Sequence, residues 1–286
     1  WKAGNLALGR VLVYGGSTGI LGTLLADIPG SQAGAQFGQA VALTGDVNAD
    51  GYADLLVGSP QYNNGTVGGG LQAGRVDLYL GGPGGMNTLS DWHVEGSAHV
   101  RQLGVSLACA GDVNGDGFTD AAITRYNVST GRNEVVIYHG APSPTLLTPA
   151  EVVAGSHASF ATRASAPAGD LNGDGFSDLL VSAPTEPSAP GGQGRVYGYF
   201  GSESGLETTP GWMAEAAAGI THFGDWVASA GDMNADGLTE VVVGGSLVAA
   251  GASNDSYLYL YHGRPGGPAT TPDYTSVRAP LSAYRS

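Results

Sequence analysis

Four stretches of the chain are near-copies of one another, so the fold has to be one that stacks a repeated unit. They read GDVNADGYADLLVGSP (45–60), GDVNGDGFTDAAITRY (111–126), GDLNGDGFSDLLVSAP (169–184) and GDMNADGLTEVVVGGS (231–246). The first acid falls at Asp46, Asp112, Asp170 and Asp232, in steps of 66, 58 and 62 residues. A period of about 60 residues marks a repeat architecture.

Each copy opens on a turn of pattern D-x-N-x-D-G-x-x-D/E and runs directly into an apolar stretch. Oxygen side chains stand at Asp46, Asn48, Asp50 and Asp54; at Asp112, Asn114, Asp116 and Asp120; at Asp170, Asn172, Asp174 and Asp178; and at Asp232, Asn234, Asp236 and Glu240. The glycine at the sixth position (Gly51, Gly117, Gly175, Gly237) permits a sharp turn. The seventh residue (Tyr52, Phe118, Phe176, Leu238) is apolar or aromatic and offers its main-chain carbonyl. Three carboxylates, an amide oxygen, a carbonyl and a water make an all-oxygen shell, which suits Ca²⁺ better than Mg²⁺. Four structural Ca²⁺ sites are therefore expected.

An EF-hand loop starts in the same way but closes with a glutamate at its twelfth position. Here that position holds Val57, Ile123, Val181 and Val243, and the flanks lack helical periodicity. The ninth-position acid must close the shell instead, and the loop joins two strands. A plain Asp/Asn/Gly turn is the alternative, but such a turn has no need of three carboxylates that repel one another without a counter-ion. The fourth copy differs in that Glu240 is one methylene longer than its counterparts.

The net charge is −14, and twelve of the 25 acids lie in the four loops, so much of the acidity is local ligand. One lysine and ten scattered arginines form no basic cluster, which argues against nucleic acid or an anionic membrane as partner. No apolar run reaches the length of a membrane span. Forty-nine glycines among short apolar runs indicate an all-β chain. Cys109 stands alone in an apolar context and reads as a buried small side chain. Ca²⁺ loops that hold a structure together are most useful where free Ca²⁺ is high, so the chain is expected to be extracellular, secreted or at the cell surface. A chain that opens on Trp1 rather than Met reads as one from which something upstream has been removed.

Two further signals share the period. The pattern G-R-V-x-x-Y-x-G ends at Tyr14, Tyr79 and Tyr199, with degenerate copies ending at Tyr138 and Tyr261. Phe37-Gly38, Leu103-Gly104 and Phe223-Gly224 each lie nine residues before the first loop acid. In the third repeat Phe160-Ala161 lies ten before, with Pro167 between, and this suggests a bulge. One repeat is then four strands: GQAVALTGD, the acid loop, DLLVGSP, a variable loop, GRVDLYLGG, a turn, and SDWHVEGS. Four short antiparallel strands stacked on like neighbours describe the blade of a β-propeller.

Phe-Gly, then D-x-N-x-D-G-x-x-D, then Gly-Ser-Pro or Ser-Ala-Pro resembles the FG-GAP repeat of integrin α-chain propellers and their relatives, over nearly the whole chain. The resemblance implies calcium loops between strands 1 and 2, ligands met on the opposite face or between blades, and commonly seven blades. Repeat two departs at Thr124-Arg125-Tyr126 and repeat four at Gly244-Gly245-Ser246. The expected layout is a single β-propeller domain, with strands 3 and 4 of an outer half-blade (1–35) and four blades (36–97, 98–156, 157–218, 219–286). Another chain or a missing segment would complete the propeller.

No H-E-x-x-H or phosphate loop is present, and each loop uses its own ligands for the ion, so no enzyme activity is expected. The reading is a binding or adhesion module for an extracellular protein or carbohydrate. The alternatives are a non-catalytic accessory domain of a secreted polysaccharide-active enzyme and a structural subunit of an extracellular assembly. Candidate ligand contacts are His99, His157 and His222, read as lying in the connections that precede strand 1, together with Arg101 near His99 and Asp225 and Trp226 near His222. Three N-x-S/T sequons, at Asn64, Asn127 and Asn254, fall in loops between strands 2 and 3.

Overall fold

The computed structural model describes residues 8–16, 22–65, 72–143, 147–154, 165–187, 192–247 and 255–278. All regular structure among them is β-strand. The chain divides into two compact units, one of Trp1–Cys109 with Gly117–Ala150, the other of Ala110–Asp116 with Glu151–Ser286.

The first unit opens on a two-stranded sheet, β1 (Arg10–Tyr14) with β2 (Leu24–Pro29). The sheet β3-β4-β5-β6 follows in sequence order, from Ala40–Gly45, Asp54–Ser59, Arg75–Tyr79 and Trp92–Glu95. The next sheet holds β7 (Val100–Arg101), β8 (Leu107–Gly111), β9 (Asp120–Asn127), β10 (Arg132–Tyr138) and β11 (Pro149–Ala154), with both β7 and β8 pairing to β9. The second unit holds β12-β13-β14-β15 (Ser165–Gly169, Asp178–Pro187, Gln193–Tyr199, Trp212–Glu215). It also holds β16-β17-β18-β19 (Thr221–Gly231, Glu240–Leu247, Asp255–Tyr261, Tyr274–Arg278). Consecutive four-stranded antiparallel sheets are the blade construction of a β-propeller.

The second strand of a blade explains why its sequence is a continuous apolar run rather than an alternating one. Every residue of β4 is buried, because neighbours cover both faces of the sheet. In register, Leu56, Leu78 and Trp92 share one face of their sheet. They pack with Ile123, Val136 and Tyr138 of the following sheet. From the other face Leu55, Val57 and Tyr79 pack with Ala26 and Ile28 of the β1–β2 sheet. In the second unit Leu180, Val196 and Trp212 pack likewise with Val241, Val243 and Tyr261. Edge-on ring pairs anchor two of these seams, Trp92–Tyr138 at 5.5 Å and Trp212–Tyr261 at 5.2 Å, each adding about 0.5–1.5 kcal/mol to area burial.

Phe160 and Ala161 lie outside the described residues. The register of β12 with β13 does shift between Pro167 and Gly169. The same shift occurs between Leu43 and Gly45 and between Ser229 and Gly231, where there is no proline. It therefore belongs to the entry into the acid loop rather than to Pro167.

Candidate functional site

The four acid turns share one backbone. The fourth and sixth positions both take positive φ: Ala49 (57°) and Gly51 (91°), Gly115 (73°) and Gly117 (89°), Gly173 (82°) and Gly175 (92°), Ala235 (61°) and Gly237 (90°). This curls the chain so that its own N–H groups point back at the acids. Asp46 accepts from Asp50 N (2.9 Å) and Gly51 N (2.7 Å), and Asp50 accepts from Tyr52 N (3.0 Å). The third turn repeats this with Asp170, Asp174 and Gly175, and the fourth with Asp232, Asp236 and Gly237. In the second, Asp112 and Asn114 accept from Asp116 N, each at 3.1 Å. Asn48, Asn114, Asn172 and Asn234 donate Nδ2 to Asp50, Asp116, Asp174 and Asp236 respectively.

The ninth-position acid is different, being fully buried at Asp54, Asp120, Asp178 and Glu240. Asp54 accepts from Val47 N and from Gly81 N, both at 2.9 Å. Asp178 accepts from Leu171 N (2.8 Å) and Gly201 N (2.9 Å), and Asp120 accepts from Gly140 N (2.9 Å). Gly81, Gly140 and Gly201 are the last glycines of the Y-x-G pattern, so two motifs read separately in the sequence are one structure. The glycine is required because the acid turn abuts it: a Cβ at Gly201 would sit 2.5 Å from the Ser177 carbonyl oxygen and 2.7 Å from that of Val113.

Burial pushes the Asp54 carboxyl up, and the charges of Asp50 and Asp46 add to this against the N–H groups of Gly81 and Val47. The same balance pushes Asp178 up to about 7, with Asp174 and Asp170 as the repelling charges. These acids are short of positive charge, which a cation would supply. Among the described residues no three His, Cys, Asp or Glu side chains converge as a preformed metal cluster. The loop acids are turned toward their own amides, and amide and carbonyl oxygens complete the donor set. Each carboxylate oxygen has more than one lone pair, so an N–H bond leaves capacity for an ion. All-oxygen donors with a buried, charge-starved acid fit a hard cation in kind.

The fourth loop carries a residue that sequence reasoning passed over. Glu240 accepts from Met233 N, but its other oxygen lies 3.2 Å from His262 Nδ1 and 3.3 Å from Asn234 Nδ2. The extra methylene carries this oxygen to the histidine just before Gly263. That position next to the terminal glycine was the available signal.

Neighbouring loops are also tied main chain to main chain. Thr119 N donates to the Asp46 carbonyl, Ser177 N to that of Asp112 and Thr239 N to that of Asp170, at 3.0–3.1 Å. The first loop acid of one blade and the eighth loop residue of the next are thus one hydrogen bond apart. At the opposite strand ends the Phe-Gly motif packs on the glycine of G-R-V in the preceding blade. Gly9 bridges Phe37 and Gly74 bridges Leu103, while a Cβ on Gly194 would meet the Phe223 carbonyl oxygen at 2.2 Å.

The candidate ligand contacts fall in two places. His99 sits in the turn before β7, its carbonyl accepting from Val128 N at 2.9 Å, and Arg101 is part-buried in β7. His222 lies beside the 216–220 connection, as the sequence suggested, and Asp225 and Trp226 lie a few residues further into the strand. β16 begins at Thr221 and takes all three into the strand, with His222 in the left-handed region at φ 59° and Trp226 standing 77% exposed. His157 lies outside the described residues. The Asn127 sequon is folded inward: its Nδ2 donates to Glu134 at 2.7 Å and its Oδ1 accepts from Ser129 N.

Sequential antiparallel blades, each entered through an acid turn and tied to the next by it, define a repeat protein of β-propeller class. The FG-GAP repeat family matches residues 37–79 and 162–199. Those two stretches carry FG-GAP repeats, and the chain is similar to integrin α-chains. It is 36% identical to integrin alpha-PS2 of Drosophila melanogaster over 156 residues, 53% of this chain and 11% of that one. It is 33% identical to integrin alpha-5 of Xenopus laevis over 187 residues, 63% of this chain and 17% of that one. The chain thus spans less than a fifth of the length of these relatives. A solved rhamnogalacturonan lyase of Bacillus licheniformis aligns with 83% of this chain and 54% of its own at 12% identity and a TM-score of 0.45, a likeness too loose to carry an argument.

Proposed function

We propose that this chain is a calcium-stabilised, extracellular, non-enzymatic binding module of the adhesion type. Ca²⁺ in each acid turn stiffens the blade it belongs to and, through the main-chain bond to the next turn, the blade after it. The observation that carries the reading is the recurrence, in all four loops, of one backbone that gathers acids beside a buried ninth-position carboxyl. The ion's part is structural: it supplies the positive charge that these acids lack, and it leaves the opposite strand ends to meet the ligand. His99 and Arg101 in one unit and His222 in the other stand at those ends, where variable loops on a rigid sheet are suited to recognition. A protein or glycan is the ligand class, and the blades at 36–97, 98–156, 157–218 and 219–286 are the units that present it. Isothermal titration of chelator-treated protein with CaCl₂ tests the proposal. Uptake of up to four ions with a gain in thermal stability supports it, and no heat of binding at millimolar Ca²⁺ refutes it.

A further inference from the structure

The fourth acid turn has a donor that the first and third lack. There alone a glutamate closes the turn while a histidine precedes the terminal glycine of the third strand. The place of that histidine, His262, holds Leu80 in the first repeat and Phe200 in the third, and neither side chain can ligate a cation. His139 holds it in the second, where the closing acid, Asp120, is shorter by a methylene.

One frame sets this position in the first and fourth repeats. Leu80 N donates to Asp91 at 2.9 Å, and His262 N donates to Asp273 at 2.9 Å. Asp273 is held in turn by Arg264. The main chain of His262 is thus fixed, and its ring turns back to the acid loop. Nδ1 lies 3.2 Å from a Glu240 carboxylate oxygen and 3.4 Å from Asn234 Nδ2. Glu240 is fully buried and anchored through its other oxygen by Met233 N, whereas the histidine side chain is 33% exposed. A nitrogen donor and a carboxylate oxygen therefore face each other, with an approach from solvent on the histidine side.

The spacing of the pair fits a shared ion. Two donors held about 2.0–2.2 Å from one metal ion stand about 2.8–3.6 Å apart at octahedral or tetrahedral angles. An ion between them takes the place of the hydrogen they share and leaves the ring its one proton on Nε2. Asp232 and Asp236, the first and fifth residues of the same turn, add negative charge. Ca²⁺ takes oxygen ligands, whereas imidazole nitrogen suits transition metals, Zn²⁺ more than Mn²⁺.

We propose that the fourth turn is a transition-metal site, in which His262 Nδ1 joins Glu240, Asp232 and Asp236 and selects Zn²⁺ and Mn²⁺ over Ca²⁺. The first and third turns, with oxygen donors alone, keep the opposite preference. Ca²⁺ enters the fourth turn when no transition metal competes. The inference rests on the reading of the turns as cation sites and adds that one of the four discriminates between ions.

Electron paramagnetic resonance of the chelator-treated chain tests this, with Ca²⁺ at about a hundred times its dissociation constant and Mn²⁺ added in stoichiometric amount. The free-ion Mn²⁺ signal should fall by one ion per chain, and pulsed spectra should show the nitrogen coupling of a histidine ligand. Titration calorimetry in the same Ca²⁺ should give a single Zn²⁺ site, tighter than the Mn²⁺ site. His262→Leu suits the frame, since a leucine stands there in the first repeat. It should abolish the nitrogen coupling and weaken Zn²⁺ and Mn²⁺ by about tenfold or more, and Ca²⁺ by less. Glu240→Asp draws the carboxylate back from the ring and gives a second variant, with circular dichroism reporting the fold of each. Bound Mn²⁺ without nitrogen coupling, or coupling that survives His262→Leu, overturns the proposal. So does Ca²⁺ uptake with no transition metal retained, which leaves the calcium reading standing. Mn²⁺ held with nitrogen coupling by a chain that takes up no Ca²⁺ supports the site and overturns the calcium reading instead. A chain that binds neither ion overturns both.

Discussion

At the scale of single residues, the ninth-position acid links turn and blade. Asp178 is fully buried and accepts one N–H on each oxygen, from Leu171 and from Gly201. Asp178→Asn keeps one acceptor and sets an NH₂ against the other donor. Leaving that donor unpaired should cost about 1–3 kcal/mol, read as a lower urea midpoint in chelator, with a larger loss in Ca²⁺. Glu240 already shares an oxygen with His262 and Asn234, so Glu240→Gln should remove less of the Ca²⁺-dependent part than Asp178→Asn does. Gly201→Ala would drive a Cβ into the carbonyls of Ser177 and Val113 and should lower stability by about 1–3 kcal/mol, visible as a drop in melting temperature. The acids and the turn glycines were legible in the sequence because their spacing is invariant across four copies. That the Y-x-G glycine donates to the ninth acid was not, since the two lie 27 residues apart in the first repeat and only folding joins them.

At the scale of the strand and sheet, the departures from the repeat prove informative. Arg75 of β5 pairs with Asp77 (2.6 Å) and Glu95 (2.9 Å), and Arg195 of β14 with Glu215 (2.7 Å) and Glu186 (3.2 Å). In repeat two the arginine's place in the third strand is taken by Glu134, and Arg125, opposite it on β9, reaches it at 2.9 Å. Thr124-Arg125-Tyr126 and the degenerate third strand are thus one exchange of charge between paired strands. Sequence alone shows two unrelated lapses there, because cross-strand register is not written in it. The order of the strands was legible. The Phe-Gly motif looks like a strand start, whereas β16 begins two residues before it and runs through it. Trp212→Ala removes a ring that is 4% exposed and faces Tyr261 edge-on, and it should cost about 3–5 kcal/mol, measured by chemical denaturation.

At the scale of the molecule, motifs that look like separate signatures are the points where one blade touches the next. Acid turn meets acid turn through Thr119, Ser177 and Thr239, Phe-Gly meets G-R-V, and tryptophan meets tyrosine. Blades joined in this way gain stability from their neighbours, so an ion in one turn should be felt beyond it. The most direct test is thermal unfolding of the chain in chelator and in Ca²⁺ at about a hundred times its dissociation constant, where each filled site should add about 2.7 kcal/mol. The account predicts a melting temperature that climbs with Ca²⁺ and a single cooperative transition that sharpens as it climbs. Identical melting curves with and without the ion would contradict it.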